Sequence, residues 1–210
     1  MQPIFLSYPL NENTPAYGGE DGLIQLETIR SISKGDTSNN MRFTFPGHIG
    51  THIDFPYHFS DVGKKCHDYP AAFWLFDKVG FINCSVEQVP NEIAGLPEDI
   101  EILILKTGYG LRRSEREYWS DQPVIPASYA AILRTRFPSL RVFGFDMISL
   151  TSKRDRPEGK RAHELFLLEN EILILEDMDL TFLLDTPQKI IIAPLLIENA
   201  DGVPCTVIGF

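Results

Sequence analysis

Three of the five histidines of this 210-residue chain, His48, His52 and His58, fall within eleven consecutive positions, and Asp54 sits among them. Neutral imidazole nitrogens and ionised carboxylate oxygens are the donors that hold divalent metals. The segment reads Phe45-Pro46-Gly47-His48-Ile49-Gly50-Thr51-His52-Ile53-Asp54-Phe55-Pro56-Tyr57-His58-Phe59. Pro46, Gly47, Gly50 and Pro56 disfavour a helix here. In an extended chain alternate side chains share a face. His48, His52, Asp54 and His58 are all even-numbered and start on one side. The odd positions Ile49, Ile53, Phe55, Tyr57 and Phe59 are apolar or aromatic and suit a core. A lone histidine is usually structural, but three with a carboxylate on one face point to metal.

Extension alone cannot gather these donors. His48 and Asp54 would stand ~20 Å apart in a straight strand at ~3.3 Å per residue, whereas metal–ligand bonds are ~2 Å. The chain must turn back, and Gly50 is the expected hinge because glycine tolerates backbone angles closed to other residues. Thr51 is expected to brace that turn through its hydroxyl. His48, His52 and Asp54 should then converge. His58 has two readings at this point: a further ligand, completing a three-histidine, one-aspartate site, or a free imidazole beside the metal acting as general acid or base with an ordinary pKa near ~6.5.

Composition narrows the setting. Lysine and arginine total 19 against 29 aspartate and glutamate, a formal net charge of −10. Such a surface repels phosphate backbones, so nucleic acid is not expected as a partner. No apolar run approaches the ~20 residues a membrane helix needs, and no membrane partner is expected. The opening Met1-Gln2-Pro3-Ile4-Phe5-Leu6-Ser7 lacks the basic and apolar regions of an export signal. The cysteines, Cys66, Cys84 and Cys205, are odd in number and form no C-x-x-C pair. They read as small buried hydrophobes of a reduced, cytoplasmic protein. Arg112, Arg113 and Arg116 lie among Glu115 and Glu117 and read as a solvated helix face.

The elements that must position the donors are mostly strands. Leu23 to Ile32 and Met41 to Phe45 alternate as strands do. Further strands are expected at 78–84, 101–106, 141–146, 172–175, 189–193 and 203–208. Ile102-Leu103-Ile104-Leu105 is a continuous apolar run that suits a strand covered on both faces. One helix is expected from Pro126, with Tyr129, Ile132, Leu133 and Phe137 as its apolar stripe. A second is expected over 159–169, with His163, Phe166 and Leu167 on one face, and a short third over 113–119. With no repeat, linker or boundary signal, residues 1–210 read as a single α/β domain, rich in β-structure, with a mixed sheet and a few helices.

The string His48-x-Gly50-Thr51-His52-x-Asp54-x-Pro56-x-His58 resembles the signature of the cyclase-family metal hydrolases, which include bacterial kynurenine formamidases and isatin hydrolases. Leu6-Ser7-Tyr8-Pro9-Leu10 followed by Asn13-Thr14-Pro15 is similar to the family's opening, although Phe5 and Tyr8 stand where aspartate and histidine are frequent. Lys106-Thr107-Gly108, Gly144-Phe145-Asp146 with Ser149, and Pro194-Leu195 with Ala200-Asp201-Gly202-Val203-Pro204 also look like family segments.

The resemblance implies the family's swivelling β/β/α fold and two divalent ions, zinc or manganese. His48, His52 and Asp54 would hold the first, and Asp54 would bridge to the second. A histidine opening a C-terminal helix and a later glutamate would complete the second. His163 takes the first role. Glu164, Glu169, Glu171 and Glu176 all follow it, and Glu176 is chosen because it ends the apolar run Ile172-Leu173-Ile174-Leu175, where a carboxylate is costly unless paired or metal-bound. His58 matches the family's catalytic histidine, and His67, outside the motif, reads as exposed.

The implied activity is hydrolysis of a small aryl formamide or cyclic aryl amide. A metal-activated water would attack the carbonyl, and His58 would pass a proton to the departing nitrogen. Tyr17 and Phe59 are the candidate substrate-binding residues. Phe55 and Trp74 are further candidates with a plain core reading beside them. The family's loop often carries tryptophan where Tyr17 stands. A homodimer or homotetramer is expected by the same resemblance. Two alternatives stand beside this reading: a non-catalytic metal-containing small-molecule binding protein, and a lyase or cyclase on a related scaffold.

Overall fold

The structure is a computed structural model and describes residues 2–210. Its strands in chain order are β1 (Ile4–Phe5), β2 (Gln25–Arg30), β3 (Asn40–Thr44), β4 (His52–Asp54), β5 (Leu75–Phe76), β6 (Val79–Asn83), β7 (Ile102–Lys106), β8 (Val142–Phe145), β9 (Leu173–Glu176), β10 (Ile190–Pro194) and β11 (Gly202–Gly209). The α-helices are short: α1 (Val89–Glu92), α2 (Glu117–Ser120), α3 (Tyr129–Arg136) and α4 (Arg156–Glu164), the last running on into a π-turn over Leu165–Glu169.

Nine strands form one mixed sheet in the order β5-β10-β11-β4-β9-β8-β7-β6, with β1 added to β11. The neighbours β6, β7, β8 and β9 are parallel. The remaining pairings are antiparallel. The two ends of this order, β5 and β6, are separated in the chain only by Asp77 and Lys78. The sheet therefore curls until it is nearly closed. The parallel strands carry the continuous apolar runs: Ile102, Leu103, Ile104 and Leu105 are all fully buried, as strands covered on both faces should be. Helix α4 and its π-turn cover this part of the sheet, and Phe166 stacks on Phe143 with ring centroids 5.6 Å apart. The hairpin of β2 and β3 forms a separate two-stranded ribbon, and every residue of β3 is exposed.

The mixed, strand-rich architecture with few helices matches the expected fold class, and eight of the strands fall where alternation or apolar runs place them. Three short strands were not legible. The important one is β4: His52-Ile53-Asp54 has two polar residues of three, yet it lies in the middle of the sheet between β11 and β9.

The helical expectations need correction at three points. In α3, Tyr129, Ala130 and Leu133 are buried, whereas Ile132 is 39% exposed. Tyr129, Leu133 and Phe137 of the expected stripe are buried, and the helix starts after its N-cap at Ser128 rather than at Pro126. The segment 113–119 is helical only from Glu117. Arg113 is not on a solvated face: its Nε and Nη2 donate to Asp177 Oδ1 and Oδ2 at 2.8 and 2.7 Å. Its guanidinium also lies 3.9 Å from the Tyr8 ring centroid. A buried carboxylate one residue beyond β9 draws this arginine inward. Phe55 and Trp74 are core residues packed edge-on, with centroids 6.2 Å apart, and do not line the cavity described next.

Candidate metal centre

Strand β4 brings His52 and Asp54 to one face of the sheet, two residues apart. Antiparallel pairing then sets Glu176 of β9 directly opposite His52, and cross-strand partners project to the same side. His163 comes from α4. Gly159 lets that helix approach the chain after β8, since a Cβ there would lie 2.6 Å from the Thr151 Cα. His48 precedes the turn at Gly50, whose φ is +60°, so the hinge is a left-handed glycine. Thr51 braces more than that turn: its Oγ1 accepts from the Tyr8 amide at 3.0 Å and donates to the Asp177 carbonyl. The backbone of Gly202 passes under the His48 ring, and a Cβ at 202 would sit 2.2 Å from His48 Cε1.

The five expected donors converge. His52 Nε2 lies 3.5 Å from Asp54 Oδ1 and 3.3 Å from Glu176 Oε2. His163 Nε2 lies 3.4 Å from Asp54 Oδ2 and 3.5 Å from Glu176 Oε1. Each carboxylate thus turns one oxygen toward each imidazole. His48 reaches Asp54 Oδ1 through Nδ1 at 2.8 Å. His52, Asp54, His163 and Glu176 are all buried.

Both buried imidazoles are held in one tautomer. His52 Nδ1 donates to the Gly50 carbonyl at 2.8 Å. His163 Nδ1 donates to the Gly159 carbonyl, one helical turn earlier, at 2.9 Å. Their Nε2 atoms therefore face carboxylate oxygens, a contact that needs a positive charge between them, from a metal ion or from protons on the rings. A carbonyl accepting from the far nitrogen of each imidazole is also how ligand histidines are usually oriented in metal sites. The 3.3–3.5 Å spacings of His52 and His163 from the two carboxylates agree, because ligands ~2.1 Å from one ion lie roughly 3.4 Å from each other, whereas His48 Nδ1 is at direct hydrogen-bond distance from Asp54. The donor set fits divalent metal.

Without metal, protons take that place. Burial alone would lower His163, but hydrogen bonds with Asp54 and Glu176 outweigh it and push the imidazole up to about 10. Burial likewise opposes His48, and hydrogen bonds with Asp201 and Asp54 push it up to about 10. Burial would raise Asp54, yet hydrogen bonds from His163 and His48 hold it well below the usual carboxylate range. For Glu176 burial and the neighbouring Asp54 raise the carboxyl, and hydrogen bonds from His163 and His52 bring it below its ordinary value. Glu176 Oε1 is further held by the Leu150 amide and by Ser149 Oγ at 3.2 Å.

These residues floor a cavity of about 290 Å³, whose walls are Pro15, Tyr17, Ile49, Phe59 and Ile148. Phe59 stacks on His163 with centroids 4.9 Å apart. Tyr17 is 37% exposed at the rim. His58 lines the same cavity, and its Nδ1 donates to Asp201 Oδ2 at 2.9 Å. His67 is exposed and outside the cavity, accepting from the Asn199 amide at 3.1 Å.

Sequence reasoning did not single out Asp201, which also accepts from His48 Nε2 at 3.0 Å. The available signal was a carboxylate beside a glycine at the head of an apolar strand, in a segment already tied to the family. Asp146, in another such segment, is elsewhere: it clamps the loop after β7 by accepting from the Thr107 amide and hydroxyl and from the Gly108 amide.

A family model described as "Putative cyclase" matches residues 4–151. A kynurenine formamidase of Bacillus mycoides (strain KBAB4) is 29% identical over 208 residues, covering 97% of this chain and 94% of the relative. Among solved structures, isatin hydrolase A from Labrenzia aggregata bound to benzyl benzoate superposes with a TM-score of 0.81 at 22% identity, covering 99% of this chain and 92% of the other. A potential metal-dependent hydrolase with cyclase activity superposes with a TM-score of 0.75 at 19% identity, covering 99% and 96%. At these identities the two structural likenesses speak for the fold.

Proposed function

The chain belongs to the cyclase family, and from that premise we propose that it is a metal-dependent hydrolase cleaving the carbon–nitrogen bond of a small aryl formamide or cyclic aryl amide. The observation that carries this reading is the facing of Asp54 and Glu176 by two buried imidazoles whose Nε2 atoms lie 3.3–3.5 Å from their oxygens.

His48, His52 and Asp54 would hold one ion, and Asp54, His163 and Glu176 a second, with zinc or manganese suited to such oxygen and nitrogen donors. A divalent ion supplies Lewis-acid chemistry, polarising a carbonyl and lowering the pKa of a water from ~16 to about 7. The apolar walls exclude bulk water and receive an aromatic ring, with Phe59 and Tyr17 as its contacts. His58, oriented through Nδ1, has Nε2 left to take the proton from the attacking water and return it to the departing amide nitrogen. An imidazole lining the cavity beside the donors favours catalysis over a purely structural metal site, which has no need of one.

Ile29, Met41 and Phe43 on the β2–β3 ribbon are exposed and support a homodimer or homotetramer. The three free thiols suit a reducing, cytoplasmic setting. Elemental analysis of the purified protein, followed by hydrolysis of N-formylkynurenine, formanilide and isatin with and without chelator, tests the proposal. Bound metal and chelator-sensitive hydrolysis of one of these amides are expected. A folded, untreated protein with no metal overturns it.

A further inference from the structure

Asp201 is the least expected member of the site, and its backbone is tied to the segments around it. Its own carbonyl accepts from the Phe55 amide at 2.9 Å, three residues before His58. The turn leading to it is stitched to a neighbouring segment: the Cys66 amide donates to the Ala200 carbonyl at 3.1 Å, and Lys65 Nζ donates to Asn199 Oδ1 at 3.1 Å. Gly202, next in the chain, leaves room for the His48 ring. The Asp201 carboxylate is thereby fixed between two imidazoles, and a single oxygen, Oδ2, accepts from both His58 Nδ1 and His48 Nε2.

One oxygen accepting two hydrogen bonds requires a proton on each facing nitrogen. His58 must then carry its proton on Nδ1, leaving Nε2 unprotonated. His48 must likewise carry a proton on Nε2, and its Nδ1, 2.8 Å from Asp54 Oδ1, is the ring atom turned toward the donor cluster. We propose that Asp201 is the positioning residue of this site: through one carboxylate oxygen it selects the tautomer of the proposed proton carrier, His58, and fixes the ring orientation of the proposed ligand, His48. The chain then presents His48 by Nδ1 but His52 and His163 by Nε2. An aspartate behind a histidine is a known way of setting ring orientation and tautomer. Here one carboxylate does so for two rings of different duty.

The inference deepens the proposed hydrolase reading and rests on it for the role of His58. The test uses the metal-loaded wild type, D201N, D201E, H58A and D201N/H58A. Asparagine keeps the shape but offers an NH2 group as well as an oxygen, so it no longer dictates which ring nitrogen is protonated. Nitrogen-15 imidazole spectra of the wild type should show His58 with its proton on Nδ1, and D201N should move the population toward Nε2–H. In D201N, kcat should fall roughly 10–100-fold with KM within about twofold, and metal affinity should fall by a similar factor through His48. At saturating metal the kcat loss should vanish in the H58A background, as coupled residues require. D201E should recover part of it.

An unchanged His58 tautomer in D201N, or the same kcat loss with and without His58, overturns the inference. If the loaded wild type hydrolyses no aryl amide, the functional reading fails, and the tautomer measurement on the same sample still decides this one.

Discussion

His52 and Glu176 face each other across the antiparallel β4–β9 pair, with Nε2 3.3 Å from Oε2. A direct charge-assisted hydrogen bond would draw the pair to ~2.8 Å. The longer spacing recurs between His163 and both carboxylates, and it leaves room for cations among these four side chains. A single register thus builds half of the proposed centre, because a slip by one residue would send Glu176 to the opposite face.

Separate roles for Asp54 and His58 predict separate phenotypes. Asp54→Ala should lose bound metal and activity together. His58→Ala should keep metal while turnover falls ~10²–10⁴-fold. Metal content by elemental analysis, measured beside kcat, checks both. Equal metal loss in the two variants would refute the division of roles.

Gly202→Ala should leave most of the fold intact and damage the site. The new Cβ would meet His48 Cε1 at 2.2 Å, so the ring must leave its place between Asp54 and Asp201. Metal affinity is expected to fall by roughly 10–100-fold, the usual effect of disturbing a ligand's support. Competition with a chromogenic chelator measures it, and wild-type affinity would show that His48 does not contribute.

Metal removal should destabilise the protein. At 100 times Kd a bound ligand contributes ~2.7 kcal/mol, or roughly 5–10 °C in Tm for a chain of this size. The pH dependence has a definite sign. In the metal-free protein His48 and His163 are pushed up to about 10, above the ~6.5 of an unfolded imidazole. Their contribution is fully present below pH ~6.5 and is lost as pH rises through about 10. Chelated protein should therefore lose Tm between pH 7 and 10. Metal-loaded protein should lose affinity in the opposite direction, as acid returns protons to the ligands. Calorimetry across that range reads both, and a flat chelated profile would contradict the first.

Arg113→Ala should be the most damaging of the three arginine substitutions in 112–116. It strands the buried Asp177 carboxylate, and breaking a buried pair from one side costs about 3–5 kcal/mol. Arg112→Ala removes exposed pairs with Glu115 and Glu117 and should cost far less, as solvent-screened pairs do. Denaturant titration separates them, and equal losses would mean that the Arg113 pair contributes little.

The sequence by itself determined the donor types, their shared face, the need for a hinge at Gly50 and the apolar runs of the parallel strands. Those are local properties, set by residue chemistry and by a backbone period of two. It also pointed to His163 and Glu176, but only through resemblance, since no local rule joins position 52 to position 176. Tertiary structure decided the rest. The β4–β9 register put Glu176 against His52, close approach at Gly159 delivered His163, and the turn before β11 placed Asp201 between two imidazoles 143 and 153 residues away. It also drew Arg113 out of what reads as a solvated helix and into a buried pair. These relationships depend on which strands lie side by side, and in a nearly closed sheet that neighbourhood is set by the packing of the whole core.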